Sequence, residues 1–247
     1  MAAIGAAAPG VETLLLGEIA GLPAIDLIHP MTAVEAGNAY LDQLEAAANG
    51  LLTPLILVVE GSIFDAVLAG AGFFSGMGED NGRPLTITDW LDKLVGQATA
   101  VIAIGSCATW GGVPAAWGNP TGAMSLADYL GHGFRSTADL PIINIPGCAP
   151  PGENFVETLI YLLLHLSEQV PLELDEANRP AWLYQQQTQP QAATFSMPIY
   201  HTETAVACRV PEQGWMNHVG GCTNVGGTCN GCTMPGFPDR YLTRDTG

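Results

Sequence analysis

Positive charge, and charge of any kind, is scarce in this chain. Of its 247 residues, 7 are lysine or arginine and 24 are aspartate or glutamate, which gives a formal net charge of −17. Nucleic acid and anionic lipid are excluded as default partners, because phosphate binding requires a basic surface. Charged residues make up 13% and apolar residues 48% of the chain, whereas a typical soluble domain is about 25% charged. We therefore interpret the chain as a subunit whose surface is largely covered by a partner.

The sequence also lacks a long apolar run and a basic leader. Its most apolar stretches, 51–59 and 159–166, are well short of the roughly 18 residues that a membrane-spanning helix needs. The first residues, MAAIGAAAPGVETLLL, do not contain the basic region of a secretory signal. We expect a cytoplasmic chain that does not span a membrane, unless a leader precedes Met1.

Cysteine is scarce and unevenly placed. Disulfide frameworks belong mainly to small secreted domains, so ligation of a metal by thiolates is the better explanation in a chain of this length. Two of the six cysteines, Cys107 and Cys148, are isolated, and the other four fall close together: Cys208, Cys222, Cys229 and Cys232.

Short apolar runs alternate with helix-period segments in the first two thirds, which predicts an α/β fold with a parallel sheet. Residues 1–169 are expected to form a flavodoxin-like domain. Residues 170–247, which have weak periodicity and a glycine- and cysteine-rich tail, are expected to form a small irregular domain held by metal. The predicted strands are 24–29, 54–60, 100–105 and 141–145, and the predicted helices are 11–20, 34–48, 86–98, 125–130 and 153–166.

The order of these elements leaves one place in the sheet empty. No strand precedes the helix at 11–20, although the first strand of a flavodoxin-like sheet is central and pairs with the second and third. The strand at 24–29 would then lack its inner neighbour. We expect either a further segment upstream or another part of the chain in this place.

The four C-terminal cysteines are spaced as Cys208-x13-Cys222-x6-Cys229-x2-Cys232. Four thiolates complete either a tetrahedral zinc site or an iron–sulfur cubane, and spacing alone does not separate the two. Five glycines between positions 220 and 231 let backbone amides approach the sulfurs, which tunes the reduction potential of a cluster. This favours an iron–sulfur cluster slightly over structural zinc, with a disulfide well behind.

Cys107 and Cys148 follow the predicted strands that end at 105 and 145. Ligands of open parallel sheets collect at the carboxyl ends of strands, so we expect both cysteines in one crevice. A pair of inert buried thiols is the alternative. Two thiolates do not complete a four-ligand cluster, so this site is either incomplete or completed from elsewhere.

Other residues give weaker signals. The glycine-rich loop at 76–80 lacks the lysine and the serine or threonine of a phosphate loop, and we interpret it as a tight turn. Glu60 ends a buried-looking strand, where a carboxylate needs a partner or a role in handling protons. Four aromatic residues that look exposed at the crevice end indicate an obligate partner: Phe73, Phe74, Trp110 and Trp117.

Three segments around the cysteines have specific sequences: GSCATWGGVP from Gly105, NIPGCAPP from Asn144 and GCTNVGGTCNGCTMPGFPD from Gly221. In this order they resemble the small, electron-transferring subunit of nickel–iron hydrogenases. The VEGSI segment from Val59 and the loop at 76–80 are similar as well. The likeness runs from about Pro9 to the C-terminus with one gap.

The resemblance implies a flavodoxin-like domain with a proximal [4Fe–4S] cluster, next to a large subunit that holds the Ni–Fe centre. The chain itself would then have no catalytic residue. Its partners would be the large subunit and a redox acceptor protein or a further electron-transfer subunit. Cys107 and Cys148 would be two of the four proximal ligands. Cys208, Cys229 and Cys232 would bind the medial cluster, and Cys222 suits its fourth ligand, which makes it [4Fe–4S].

Two departures from the family pattern matter. The C-x-x-C that supplies the other two proximal ligands is not seen, and we expect it upstream of Met1. The distal-cluster segment is also missing, because residues 183–206 contain no cysteine, and the distal role is not assigned to His201. We expect residues 181–207 to form a polar loop, so that the four-cysteine cluster is the terminal relay.

Two other functions stay open. A quinone-reductase subunit of the respiratory complex I type shares the fold, but it places two adjacent cysteines in the crevice and lacks a C-terminal cysteine tail. A zinc-stapled or degenerate scaffold subunit is the non-enzymatic alternative. Iron and zinc content separates this scaffold from an electron-transfer subunit.

Overall fold

The computed structural model describes residues 22–28, 38–68, 75–184 and 231–239. The strands of these parts are β1 (Leu55–Glu60), β2 (Gly76–Asp80), β3 (Arg83–Thr86), β4 (Ala98–Ile104) and β5 (Ile143–Ile145). The helices are α1 (Asn38–Ala48), α2 (Ile87–Leu94), α3 (Gly105–Trp110), α4 (Leu126–Leu130), α5 (Gly152–Leu166) and α6 (Ala181–Tyr184), with 3₁₀ turns at Val95–Gln97 and Val113–Ala115.

The main sheet is parallel, with the strand order β1-β4-β5. Its central strand β4 is almost completely buried, because helices cover both faces of a parallel sheet and the strand sequence ATAVIAI is apolar throughout. Glu60 pairs with Ile104, and Ile104 pairs with Ile145. All three strands therefore end at the same edge of the sheet.

Helices pack on both faces of this sheet. On one face, Phe155 and Leu162 of α5 pack against Ile102 and Ile143. On the other face, Leu91 of α2 and Leu126 of α4 belong to a cluster with β4 residues. The sequence-based prediction of an α/β, flavodoxin-like fold is thereby confirmed.

The strand predicted at 24–29 is wrong for the residues that the structure describes. Residues 22–28 form no regular element. Leu22 is buried in the cluster around α5, and Ile25 packs against it. The apolar residues of this segment thus pack on the core without forming a strand. Period-2 hydrophobicity does not distinguish a hydrogen-bonded strand from an extended segment held by side-chain packing. His29 and the predicted helix 11–20 lie outside the described residues.

The loop predicted at 76–80 is instead a strand. It forms an antiparallel hairpin with β3, and Trp90 of α2 holds the hairpin by donating from Nε1 to the Met77 carbonyl at 2.7 Å. The turn consists of Asn81 and Gly82, which have φ values of 50° and 82°. Both residues of a type I′ turn need positive φ, and Asn-Gly is the dipeptide that favours it. The sequence therefore contained the hairpin signal.

The segment after Val170 lies against the face of the sheet that α5 covers. Leu172 and Leu174 pack on the cluster around α5, and the Asn144 amide donates to the Asn178 carbonyl at 2.8 Å. Residues 181–184, predicted as part of a polar loop, form the buried helix α6, since Leu183 and Tyr184 are apolar enough to be covered. The loop prediction for 185–207 lies outside the described residues, and the domain boundary at 169/170 stays a prediction.

Tyr129 links α4 to α2 and predicts a pH dependence of stability. Its hydroxyl donates to Asp92 Oδ1 at 2.8 Å, and burial, with that carboxylate, raises the pKa of Tyr129 to about 12. The folded state thus favours the neutral phenol. This contribution is complete below the ordinary pKa of 10.0 and is lost as pH rises toward 12.

Between pH 10 and pH 12 we expect the free energy of unfolding to fall more in the parent chain than in Tyr129→Phe. Urea unfolding at a series of pH values measures the difference. Equal losses in the two chains would show that Tyr129 does not contribute.

Candidate functional site

The two isolated cysteines lie at one corner of the sheet. Cys107 is half-buried in α3, which begins directly after β4, and Cys148 is exposed three residues after β5. The two strands are paired, and the Ser106 amide donates to the Gly147 carbonyl at 2.9 Å. The structure thus brings the two cysteines to the same edge, as expected from the rule for parallel sheets.

Gly112 forms the wall beside the Cys107 side chain. A Cβ at this position would lie 2.6 Å from Cys107 Sγ, and the residue has a φ of 61°. The chain returns over Cys107 because the preceding Gly111 caps α3 in the left-handed conformation, with its amide bonded to the Cys107 carbonyl at 2.9 Å. Only a glycine leaves room for the sulfur here.

We expect Gly112→Ala to displace the Cys107 sulfur and to lower the free energy of unfolding by about 2–4 kcal/mol, the combined cost of backbone strain and overpacking. Gly118→Ala is the matched control, because Gly118 has a φ of 93° but nothing within 4 Å of an added Cβ. It should show the strain alone. Urea unfolding of the two variants measures the difference, and equal losses would mean that the Cys107 contact is unimportant.

The described residues 231–239, which we call the Cys232 turn, approach this corner from the far end of the sequence. Ser106, directly before Cys107, donates its hydroxyl to the Cys232 carbonyl. Arg179 donates from Nη1 to the Thr233 carbonyl at 3.0 Å. The other cysteines of the C-terminal motif, Cys208, Cys222 and Cys229, lie outside the described residues.

Arg179 is a buried cation with several polar partners. It is 7% exposed and donates from Nε to Asp175 Oδ2 at 2.7 Å. Its guanidinium lies 5.0 Å from the centre of the Tyr184 ring, and the Tyr184 hydroxyl donates to the Pro146 carbonyl at 3.0 Å. Arg179 and Tyr184 therefore connect the Cys232 turn to residues 146–149, which we call the Cys148 loop. Sequence reasoning missed both residues.

A cavity of about 950 Å³ lies between α3 and these C-terminal residues. It is mixed in character, with Trp110, Phe134 and Tyr184 beside Asp128, Asp175 and Arg179. Two predictions for nearby residues are corrected. Trp110 in α3 is half-buried, with its Nε1 fully covered. Glu60, the last residue of β1, is exposed at the carboxyl edge of the sheet.

Apolar side chains stand exposed beside the crevice. Val113 and Trp117 are 61% and 79% exposed, and Val67 and Leu68 are 86% and 57% exposed. The two segments are neighbours, since the Asp65 amide donates to the Thr121 carbonyl at 3.2 Å. We call these four residues the apolar patch. Phe73 and Phe74 lie outside the described residues.

The chemistry of the donors fits an iron–sulfur cluster in part. Thiols are the donors that such clusters use, and the space beside Cys107 Sγ that only glycine leaves open fits a ligating sulfur. Within residues 22–28, 38–68, 75–184 and 231–239, however, no group of three or more Cys, His, Asp or Glu side chains is close enough to hold a metal ion. The described residues thus offer part of a ligand set.

Comparison with known proteins agrees with this arrangement. Residues 22–162, more than half of the chain, match the family described as NADH ubiquinone oxidoreductase, 20 Kd subunit. The solved actinobacterial-type NiFe-hydrogenase from Ralstonia eutropha H16 matches 97% of this chain and 76% of its own, with 42% identity and a TM-score of 0.81.

Two curated relatives are hydrogenase small subunits. The Hydrogenase-2 small chain of Escherichia coli K12 is 35% identical over 176 residues, which are 71% of this chain and 41% of that protein. The periplasmic [NiFe] hydrogenase small subunit 1 of Nitratidesulfovibrio vulgaris is 32% identical over 234 residues, covering 84% and 66% of the two chains. The chain thus spans about two fifths of the Hydrogenase-2 small chain.

The chain is an α/β protein with cysteines at the carboxyl edge of a parallel sheet. The family match assigns it to an oxidoreductase class. Within that class, the chain belongs to the family of nickel–iron hydrogenase small subunits. In the part that the structure describes, none of the helices is long and apolar enough to cross a membrane. The cytoplasmic location stays a prediction, and the relative from N. vulgaris is named as periplasmic.

Proposed function

We propose that this chain is the electron-transfer subunit of a nickel–iron hydrogenase, which relays electrons between an H2-activating large subunit and an acceptor. The observation that carries the proposal is that Ser106, which directly precedes Cys107, forms hydrogen bonds with Gly147, which directly precedes Cys148, and with the Cys232 carbonyl. Cysteine-bearing loops that meet at one residue are what the neighbouring cluster sites of a relay require.

The thiols would hold two clusters. Cys107 and Cys148 would supply two ligands of a proximal [4Fe–4S] cluster in the crevice, with Gly112 leaving room for the sulfur of Cys107. Cys208, Cys222, Cys229 and Cys232 would hold a second [4Fe–4S] cluster as the last relay before the acceptor. When bound, the clusters supply one-electron redox chemistry. The protein supplies thiolates, backbone hydrogen bonds and fixed positions.

A large subunit is the partner that best fits the apolar patch. Obligate interfaces are more apolar than the rest of a protein surface and commonly bury about 2,000 Å² or more. Trp117 and Val113 follow the Cys107 helix directly in sequence, so a partner seated on them would lie next to the crevice. The net charge of −17 favours an acceptor with a basic docking face, because two acidic proteins repel each other on approach.

We expect Trp117→Ser to weaken binding of the large subunit by about 2 kcal/mol or more, the usual effect of losing a buried aromatic anchor. Leu51→Ser is the matched control, since Leu51 is 74% exposed but lies before β1, at the opposite edge of the sheet. Co-purification with a tagged large subunit measures the effect. Equal losses in the two variants would place the interface elsewhere.

The family match leaves one alternative function. Its description names a subunit of NADH ubiquinone oxidoreductase, so a quinone-reductase subunit of that type is the second candidate. The match ends at residue 162, whereas the hydrogenase small subunit of N. vulgaris aligns over 84% of the chain. The longer alignment favours the hydrogenase function.

The test is the metal content of the anaerobically reconstituted chain, with electron paramagnetic resonance after reduction. The proposal predicts iron, acid-labile sulfide and the signal of a cysteine-ligated [4Fe–4S] cluster. Stoichiometric zinc without sulfide would instead identify a zinc-stapled scaffold, and a third, histidine-ligated cluster would refute the assignment of the tail as the terminal relay.

A further inference from the structure

The side chain of Ser106 touches both cysteine-bearing loops. Its hydroxyl accepts a hydrogen bond from the Gly147 amide at 3.1 Å and donates one to the Cys232 carbonyl. Gly147 directly precedes Cys148. The side chain of a single residue therefore connects the backbone next to Cys148 with the backbone of Cys232.

Ser106 is buried, so water does not replace its hydroxyl in these two hydrogen bonds. The residue is 1% exposed, and Gly147 is also buried. A hydroxyl has one donor and two acceptor sites, so it can bond to an amide and a carbonyl at once. An alanine can do neither, and a buried amide that loses its acceptor is costly because water does not reach it.

We propose that Ser106 is a positioning residue that sets the separation between the Cys148 loop and the Cys232 turn. Electron tunnelling slows steeply as the distance between two centres grows, so such a tether would control how fast the two sites exchange electrons. The tether rests on the described contacts alone. Only its effect on electron passage rests on the function proposed above.

A second contact keeps the turn in place when the first is lost. Arg179 donates to the Thr233 carbonyl, and Arg179 is itself held by Asp175 and not by Ser106. Removing the Ser106 hydroxyl should therefore loosen the turn without detaching it. We expect the Ser106→Ala chain to fold.

The experiment is amide hydrogen exchange of the full chain, followed by mass spectrometry of peptides that contain Gly147 and Met234. The Met234 amide reports on the turn, since it donates to the Gly231 carbonyl at 3.0 Å. In Ser106→Ala we expect about tenfold faster exchange at both peptides, because one hydrogen bond is lost at each loop. Ser106→Thr keeps a hydroxyl and should restore slow exchange.

Ser136→Ala is the matched control. Ser136 is also buried, and its hydroxyl accepts from the Leu140 amide at 3.2 Å, away from the cysteines. Three results would overturn the tether: a Gly147 amide in the parent that exchanges like an exposed one, no acceleration in Ser106→Ala, or no recovery in Ser106→Thr. The first needs no variant, so it decides the matter even if Ser106→Ala does not fold.

The effect on the relay is read in the cluster-loaded chain. Magnetic interaction between the two reduced clusters should weaken in Ser106→Ala and recover in Ser106→Thr. An unchanged interaction despite faster exchange would overturn the role in setting their separation. Absence of iron from the crevice would overturn the cluster assignment. The hydrogen-exchange data alone would then decide whether Ser106 holds the two loops together.

Discussion

An Arg179→Met chain is expected to have a free energy of unfolding about 3–5 kcal/mol below that of the parent, the usual result of breaking a buried ion pair at one end. The Arg179 and Asp175 side chains are 8% and 14% exposed, and Nη2 lies 2.7 Å from Oδ2. Removing the guanidinium leaves a nearly buried carboxylate without its cation. It also removes the hydrogen bond to the Thr233 carbonyl.

The exposed pair of Arg83 and Asp89 supplies the matched control. Its nitrogen and oxygen are also close, at 2.8 Å, but the Arg83 side chain is 73% exposed. We expect Arg83→Met to cost less than about 1 kcal/mol, because water screens such a pair. Urea unfolding compares the two variants. Similar losses would show that burial of Arg179 does not matter to the fold.

A Cys232→Ala chain is expected to lose the cluster of the C-terminal motif, because Cys232 is one of the three thiolates that even a [3Fe–4S] cluster at the proposed site would need. Cys222→Pro should have a milder effect, since loss of the fourth thiolate converts the site to a [3Fe–4S] type. Iron content and electron paramagnetic resonance of the reconstituted chains measure both changes.

Cys107→Ala is the control for these two variants, since it belongs to the crevice and not to the tail. It should leave the tail signal unchanged. A Cys232→Ala chain with the full signal, or a Cys222→Pro chain without any change, would contradict the proposed ligand set.

Local patterns predicted the parts of this molecule that depend on short stretches of sequence. The strand predicted at 100–105 and the helix predicted at 153–166 are close to the observed β4 and α5. The rule that parallel strands present their carboxyl ends at one edge then predicted that Cys107 and Cys148 lie at the same edge of the sheet, as observed. These inferences succeed because burial and register follow from the residues themselves.

The contacts that organise the site could not be read in the same way. Ser106 and Cys232 are 126 residues apart, and Arg179 and Thr233 are 54 residues apart. No periodicity relates such pairs, and a serine or an arginine in isolation is usually exposed. The strand predicted at 24–29 failed for a related reason, since Ile25 is partly buried against the cluster that contains α5 residues, while the described residues 24–28 form no strand.

The most direct test of the central claim is the visible absorption of the complex with a nickel–iron large subunit under H2. If this chain relays electrons from the large subunit, its iron–sulfur absorption should bleach on exposure to H2 and recover when an oxidised acceptor is added. Bleaching by dithionite but not by H2, in a complex whose large subunit activates H2, would contradict the account.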